Sequence, residues 1–82
     1  MNYNQDKILE VITDHCKMVL GDLEDHLLLP DVSLKEMGAN SMDRAEIIGL
    51  TLESLDLDIP RIDLFGASNI GQLAKIIDAK SI

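Results

Sequence analysis

The spacing of apolar residues constrains this chain more than any other feature. In the first segment, the side chains that share one helical face recur at positions i, i+3, i+4, i+7 and i+11: Ile8, Val11, Ile12, His15 and Val19. One face of an α-helix has this spacing, whereas a half-buried strand alternates apolar and polar residues. No segment of the chain alternates convincingly, and the sequence therefore predicts an all-α protein.

Recognisable signals bound the first helix, and a long connection follows it. Asn2 or Asn4 can cap the start of the helix, and Gly21 can end it in a left-handed conformation. Residues 22–40 then form a long first loop, in which a capping-box spacing favours a short helical turn at 34–37. Connections of this length inside a compact domain are uncommon and often functional.

Proline and polar residues divide the second half of the chain. A second helix is expected from Ser41 to Leu55, because Pro60 lies beyond it and cannot sit in a helix interior. A short third helix is expected over residues 61–65, and the last helix is expected to open at Ser68 or Asn69. The sequence thus predicts a small helical bundle with three main helices, one short helix and a long first loop.

The size and charge of the chain limit its function. With 82 residues it is long enough for one small domain, which we take as residues 1–82. The net charge of -8 disfavours nucleic acid and anionic lipid as partners, because both repel an acidic surface. An acidic surface instead favours encounter with basic patches on other proteins.

Other residues indicate where the protein works and what it does not bind. Cys16 is the only cysteine, and neither a signal peptide nor an apolar membrane span is visible in the sequence. We therefore expect a cytoplasmic monomer. His15 has no metal-ligand partner at a suitable spacing and is expected to be a structural histidine. The acids Asp22, Glu24 and Asp25 lack the rest of a calcium-loop pattern, so we expect no metal site.

Ser41 is the residue best placed to carry chemistry, because it lies where the long loop meets the second helix. The first N–H groups of a helix have no partner within it, and together with the helix dipole they favour a phosphate. A phosphate ester on the Ser41 hydroxyl would be stabilised there. Serine is also a preferred N-cap, so the residue alone leaves both interpretations open. No histidine base accompanies Ser41, and we expect no catalytic residues and no enzyme activity.

The residues around Ser41 add a family resemblance. The run from Gly38 to Ile48 reads GANSMDRAEII and resembles the acyl carrier protein signature, in which Gly, any residue, Asp and Ser precede an apolar residue. The likeness in helix order and in the Ile59-Pro60 placement covers nearly the whole chain. It implies that Ser41 carries 4′-phosphopantetheine, added from coenzyme A by a phosphopantetheinyl transferase. The terminal thiol of that arm would hold the acyl group as a thioester.

One residue departs from the family pattern. The family usually has Asp immediately before the serine, and this chain has Asn40. The amide keeps the size of the side chain and an oxygen acceptor but removes one negative charge. Because the resemblance implies that this acid helps the transferase engage, we expect Asn40 to bear on the efficiency or the choice of transferase and not on the attachment site.

A narrower resemblance lies in the second half of the chain. Residues 59–64 and 66–74, together with the run from Asn40 to Glu46, are similar to freestanding carriers of bacterial polyketide pathways. More narrowly they resemble the donor carriers of β-branching cassettes, which present acetyl units to a hydroxymethylglutaryl-CoA-synthase-like enzyme. The partners that this resemblance implies are the hydroxymethylglutaryl-CoA-synthase-like enzyme, an acyltransferase, and a ketosynthase or decarboxylase.

The second helix carries more apolar residues than one buried face requires. One face holds Ile47, Ile48, Thr51 and Leu55, and a second stripe at helical spacing holds Met42, Ala45, Gly49 and Leu52. The second stripe is either further core or a docking surface of the kind that places a helix in a partner's groove. Under the docking interpretation the expected partner contacts are Asn40, Met42, Asp43, Arg44, Ala45, Glu46, Gly49, Leu52, Arg61 and Asp63.

Two alternatives remain at the level of the sequence. The chain can be a fatty-acid or peptidyl carrier, since carriers of those kinds overlap it in composition. It can also be a helical interaction module or a DNA-binding bundle in which Ser41 is only a cap, although the acidity disfavours DNA.

Overall fold

The structure is a computed structural model that describes residues 4–21 and 23–81. It contains α1 (Gln5–Leu20), a 3₁₀ helix (Asp25–Leu28), α2 (Ser41–Ser54), a second 3₁₀ helix (Arg61–Asp63) and α3 (Ile70–Lys80), and no strand occurs within those residues. The all-α prediction with three main helices is confirmed. The short third helix is one 3₁₀ turn rather than a helix over 61–65, and the turn at Asp25–Leu28 was not predicted.

The core forms where α1 packs against both α2 and α3. Each helix buries a stripe at helical spacing, as the apolar pattern predicts, and the loops add further apolar side chains to the same core. The helical contribution consists of Ile8, Ile12 and Cys16 from α1, Ile47, Ile48, Thr51 and Leu52 from α2, and Ile70, Leu73, Ala74 and Ile77 from α3.

His15 and Cys16 are both structural residues of α1. The Nδ1 atom of His15 lies 2.9 Å from the carbonyl oxygen of Val11. Because a carbonyl can only accept, Nδ1 carries the ring proton and donates, which leaves Nε2 to accept from the Ser54 hydroxyl at 3.2 Å. The bond to Ser54 joins the end of α2 to α1, and the bond to Val11 fixes the ring within α1. Burial of Cys16 raises the pKa of its thiol to about 11.

The ends of α1 follow the sequence signals. Asn4 is the N-cap, and its side chain accepts from the N–H of Lys7 at 2.7 Å. Gly21 ends the helix with a φ of 85°, a conformation that glycine adopts without steric cost. The other candidate cap, Asn2, and the acid Asp22 lie outside the described residues. None of the helices within the two described ranges is long and apolar enough to cross a membrane.

The long first loop packs against the rest of the molecule. Its predicted turn is present, because Ser33 and Glu36 exchange capping-box hydrogen bonds of 3.0 and 3.2 Å. Val32 and Met37 lie in the core. The loop also reaches α3, where the carbonyl groups of Pro30 and Val32 accept from the first two N–H groups of that helix. The loop therefore fixes the start of α3 relative to the start of α2.

Candidate functional site

The loop delivers Ser41 to the surface as the first residue of α2. Ala39, two residues earlier, is buried, and Gly38 turns the chain with a φ of 93°. Asn40 is the N-cap: its side chain accepts from the N–H of Asp43 at 2.8 Å, and the Asp43 carboxylate accepts from the N–H of Asn40 at 3.3 Å. The interpretation of Ser41 as the cap is therefore wrong. Its exposed hydroxyl takes no part in either bond of the capping box.

The backbone beside Ser41 leaves hydrogen-bond donors unused. The N–H of Arg44 reaches the carbonyl oxygen of Asn40 at 2.9 Å, and the cap takes the N–H of Asp43. Within the described part of the chain, no acceptor takes the N–H groups of Ser41 or Met42. Two free donors and the positive end of the helix dipole thus lie next to an exposed hydroxyl. This arrangement fits a phosphate ester on that hydroxyl.

A cavity of about 260 Å³ lies beside the start of α2. Apolar side chains from α2, the 64–67 turn and α3 line part of it, and Lys35 and Arg44 add two cationic groups. The Nε atom of Arg44 is buried and has no hydrogen-bond partner among the described residues. The lining residues are Ser33, Leu34, Lys35, Arg44, Ile48, Leu64, Phe65, Ala67, Ser68, Asn69 and Leu73.

The second stripe of α2 is divided between surface and core. Met42 is 81% exposed, and Ala45 and Gly49 are partly exposed. Leu52 is 6% exposed and belongs to the core. The assignment of Leu52 to a docking surface is therefore wrong, because a bundle this small buries a wide arc of each helix. The other three residues of the stripe can contact a partner.

Arg61 and Asp63 lie on the same 3₁₀ helix but contact different α-helices. The guanidinium of Arg61 lies over α2, in a shallow hollow that Glu46 and Glu53 also line. The carboxylate of Asp63 forms an ion pair with Lys80 of α3 at 3.5 Å. The two predicted contacts therefore do not form one cluster, and Asp63 links the 3₁₀ helix to α3.

Two exposed apolar residues near these contacts were missed by the sequence reasoning. Ile62 is 79% exposed on the second 3₁₀ helix, and Phe65 is 52% exposed where it lines the cavity. Their exposure depends on the turn of the short helix, which the apolar spacing does not reveal. The capping role of Asn40 was also missed, although its distance from Asp43 is a capping-box spacing.

The acids at the start of the first loop, as far as the structure describes them, form no group that could hold a metal ion. Glu24 and Asp25 are exposed. Across residues 4–21 and 23–81, no group of three or more His, Cys, Asp or Glu side chains is placed to hold a metal ion.

Comparison with known proteins agrees with this geometry. The family described as the phosphopantetheine attachment site matches residues 6–77. The polyketide biosynthesis acyl-carrier-protein AcpK of Bacillus subtilis (strain 168) is 46% identical over 74 residues, which span 90% of each chain. An acyl carrier protein of Clostridium perfringens (strain 13 / Type A) is 31% identical over 72 residues, covering 88% of this chain and 90% of that one.

A solved structure is also similar. It is the crystal structure of the curacin biosynthetic pathway HMG synthase in complex with an acetyl donor carrier protein. The match has a TM-score of 0.88 and 44% sequence identity, and it covers 95% of this chain and 100% of the other. The fold, the family match over most of the chain and the exposed serine beside free N–H donors lead to one conclusion. The chain belongs to the acyl carrier proteins, which bear 4′-phosphopantetheine and carry acyl groups rather than catalyse reactions.

Proposed function

We propose that Ser41 is the phosphopantetheine attachment residue and that the loaded protein donates acetyl units to an HMG-CoA-synthase-like enzyme during β-branching in bacterial polyketide biosynthesis. The observation that carries this proposal is the 44% identity and 0.88 TM-score to a chain from a complex of an HMG synthase with an acetyl donor carrier. The 46% identity to a Bacillus subtilis carrier of polyketide biosynthesis supports the same pathway class.

The residues at the start of α2 explain how the attachment is held. Ser41 supplies the exposed oxygen for a phosphodiester, and the N–H groups of Ser41 and Met42, which have no acceptor among the described residues, are available to its negative charge. The arm supplies a thiol on which an acyl group is held as a reactive thioester. Asn40 and Asp43 keep the helix end closed by the capping box, so that the attachment point does not fray.

Four enzymes would meet this surface in turn. The phosphopantetheinyl transferase adds the arm, and an acyltransferase loads it. A ketosynthase or decarboxylase removes CO2 from a malonyl cargo and leaves acetyl on the arm, and the HMG-CoA-synthase-like enzyme accepts the acetyl unit. Their common docking surface is the start of α2, with Met42, Arg44, Ala45 and Glu46. Arg61 of the second 3₁₀ helix lies beside it, in the same hollow as Ala45 and Glu46.

Loading can be tested by intact mass after incubation with coenzyme A and a phosphopantetheinyl transferase. One arm per chain is expected, and none on Ser41→Ala. A thiol reagent at pH 8 gives a second readout. Cys16 is fully buried with a pKa of about 11, so only the arm thiol should react quickly. Loading that persists on the alanine variant would place the arm elsewhere.

Donation needs a separate test against a matched carrier. The protein and the 31% identical Clostridium perfringens carrier are both loaded with acetyl and mixed with a β-branching synthase and a β-ketoacyl acceptor carrier. Efficient transfer from this protein and poor transfer from the control are expected. Equal transfer from both would remove the case for a specialised donor. Failure to donate, with efficient chain extension by a ketosynthase, would assign it to ordinary chain-extending carriers.

A further inference from the structure

Gly49 lies in the middle of α2, where glycine is the least favourable residue after proline. Its backbone does not require glycine, because its φ is not among the positive values of the structure. A neighbouring side chain supplies a reason for its presence. A Cβ atom on residue 49 would lie 2.8 Å from Nη2 and 3.2 Å from Cζ of Arg61. The guanidinium of Arg61 therefore rests on the face of α2 that the missing side chain leaves free.

The positive charge of Arg61 is not neutralised in this contact, although two acidic side chains line the same hollow. Glu46 and Glu53 line the same hollow as Arg61, one turn before and one turn after Gly49. Within the described residues, no carboxylate lies within 4.0 Å of the Arg61 guanidinium. The exposed guanidinium thus lies against α2 without being neutralised, on a molecule of net charge -8.

We propose that Gly49 positions Arg61 as a specificity contact for the synthase, with a carboxylate of the partner enzyme binding the guanidinium and basic groups of the partner facing Glu46 and Glu53. Charge complementarity supports this occupant, since a purely basic partner surface would repel Arg61. A planar guanidinium held flat can bind a carboxylate through two parallel hydrogen bonds. This inference rests on the proposed donor function and specifies which partner surface it needs.

The variants separate docking from folding. Gly49→Ala replaces glycine by the best helix former, and the only crowded atoms belong to the end of a flexible side chain. The melting temperature should therefore stay the same or rise. The added methyl group displaces the guanidinium from its position on α2, so Gly49→Ala should lower the kcat/KM of acetyl transfer about threefold. Arg61→Ala should lower the same kcat/KM about tenfold, or about 1.4 kcal/mol. Most of either change should appear in KM.

Two further variants test the linkage between the residues. If Gly49 acts only through Arg61, the double variant Gly49→Ala/Arg61→Ala should transfer acetyl as well as Arg61→Ala alone. Lys17→Ala makes the same change in net charge on an exposed position of α1 and should leave KM unaltered. Loading by the transferase is measured on every variant, so that a loss of donation is not a loss of the arm.

The outcomes distinguish the inference from the proposed function. Donation by the parent protein with unchanged KM in both Arg61→Ala and Gly49→Ala would overturn the inference and leave the donor function standing. If the losses of acetyl transfer in the double variant are fully additive, Gly49 does not act by positioning Arg61. A parent protein that loads but does not donate would overturn the donor function first. If a synthase in which one acid is replaced by lysine restores acetyl transfer from the Arg61→Glu variant, that acid is the partner carboxylate.

Discussion

The starts of α2 and α3 are built alike but leave different groups exposed. Each begins with an asparagine whose side chain accepts from the third N–H of the helix: Asn40 from Asp43 at 2.8 Å and Asn69 from Gln72 at 2.7 Å. At α3 the loop also satisfies the first two N–H groups. Ile70 donates to Val32 at 3.0 Å and Gly71 to Pro30 at 2.8 Å.

At α2 the corresponding two N–H groups, of Ser41 and Met42, have no acceptor within the described chain. The same local motif therefore serves folding at one helix and leaves donors for a phosphate at the other. The difference lies in what packs against each end. The loop covers the start of α3, whereas the start of α2 faces solvent with a serine in its first position. The start of α2 can take a phosphate ester because the tertiary structure leaves it uncovered.

The largest expected effect comes from removing the hydroxyl at the uncovered helix start. Ser41→Ala should abolish loading, because no other oxygen occupies that position. Since Asn40 rather than Ser41 makes the cap, the free energy of unfolding should change by less than about 0.5 kcal/mol. Intact mass and thermal melting check both parts. A loss of more than 1 kcal/mol would mean that Ser41 contributes to the cap after all.

The next largest effect comes from crowding the covered helix start. A Cβ atom on Gly71 would lie 2.8 Å from the carbonyl oxygen and 3.0 Å from the Cβ atom of Pro30. Gly71→Ala should therefore destabilise the protein by about 2 kcal/mol, as overpacking commonly does. Gly66→Ala is the control, because nothing lies within 4 Å of a Cβ there. Equal melting temperatures for the two variants would show that the loop around Pro30 moves aside without loss of stability.

Removing each cap tests whether the two helix starts differ in function as well as in structure. Asn40→Ala and Asn69→Ala should each lower the free energy of unfolding in urea by about 1 kcal/mol, because each removes a side-chain oxygen that accepts from a backbone N–H. Only Asn40→Ala should also slow loading by the transferase, since only that cap holds the attachment residue. Equal loading rates for the two variants, measured well below both melting temperatures, would contradict this division.

The smallest expected effect concerns the charge of the cap at α2. Asn40→Asp keeps the acceptor oxygen and adds a negative charge near the positive end of the helix, which should stabilise the fold by about 0.5 kcal/mol. Loading should also become faster with a transferase that favours an acidic motif. The gain should shrink at high salt, because screening weakens charge steering. Identical rates at all salt concentrations would show that residue 40 is neutral for the transferase.

The sequence predicted the parts of the molecule that depend on local pattern. Helical spacing identified the three α-helices, because a buried stripe repeats every three to four residues whatever it packs against. The junction of loop and helix placed Ser41 at the start of α2, and the family signature marked that serine. Proline and glycine gave the breaks between elements. The exact cap of α2 was misjudged, since Ser41 and Asn40 are both good cap residues. The expected helix over 61–65 is a single 3₁₀ turn.

Tertiary structure decided what each surface presents. Leu52 and Gly49 belong to the same sequence stripe, yet packing buries the first and places the Arg61 guanidinium over the second. The free donors at α2 and the covered donors at α3 likewise follow from where the loop lies. Contacts between residues distant in the chain set these features, and apolar spacing carries no information about such contacts. The sequence by itself determined the helices and singled out Ser41 as the proposed attachment residue, whereas packing determined which helix start and which charges remain available to partners.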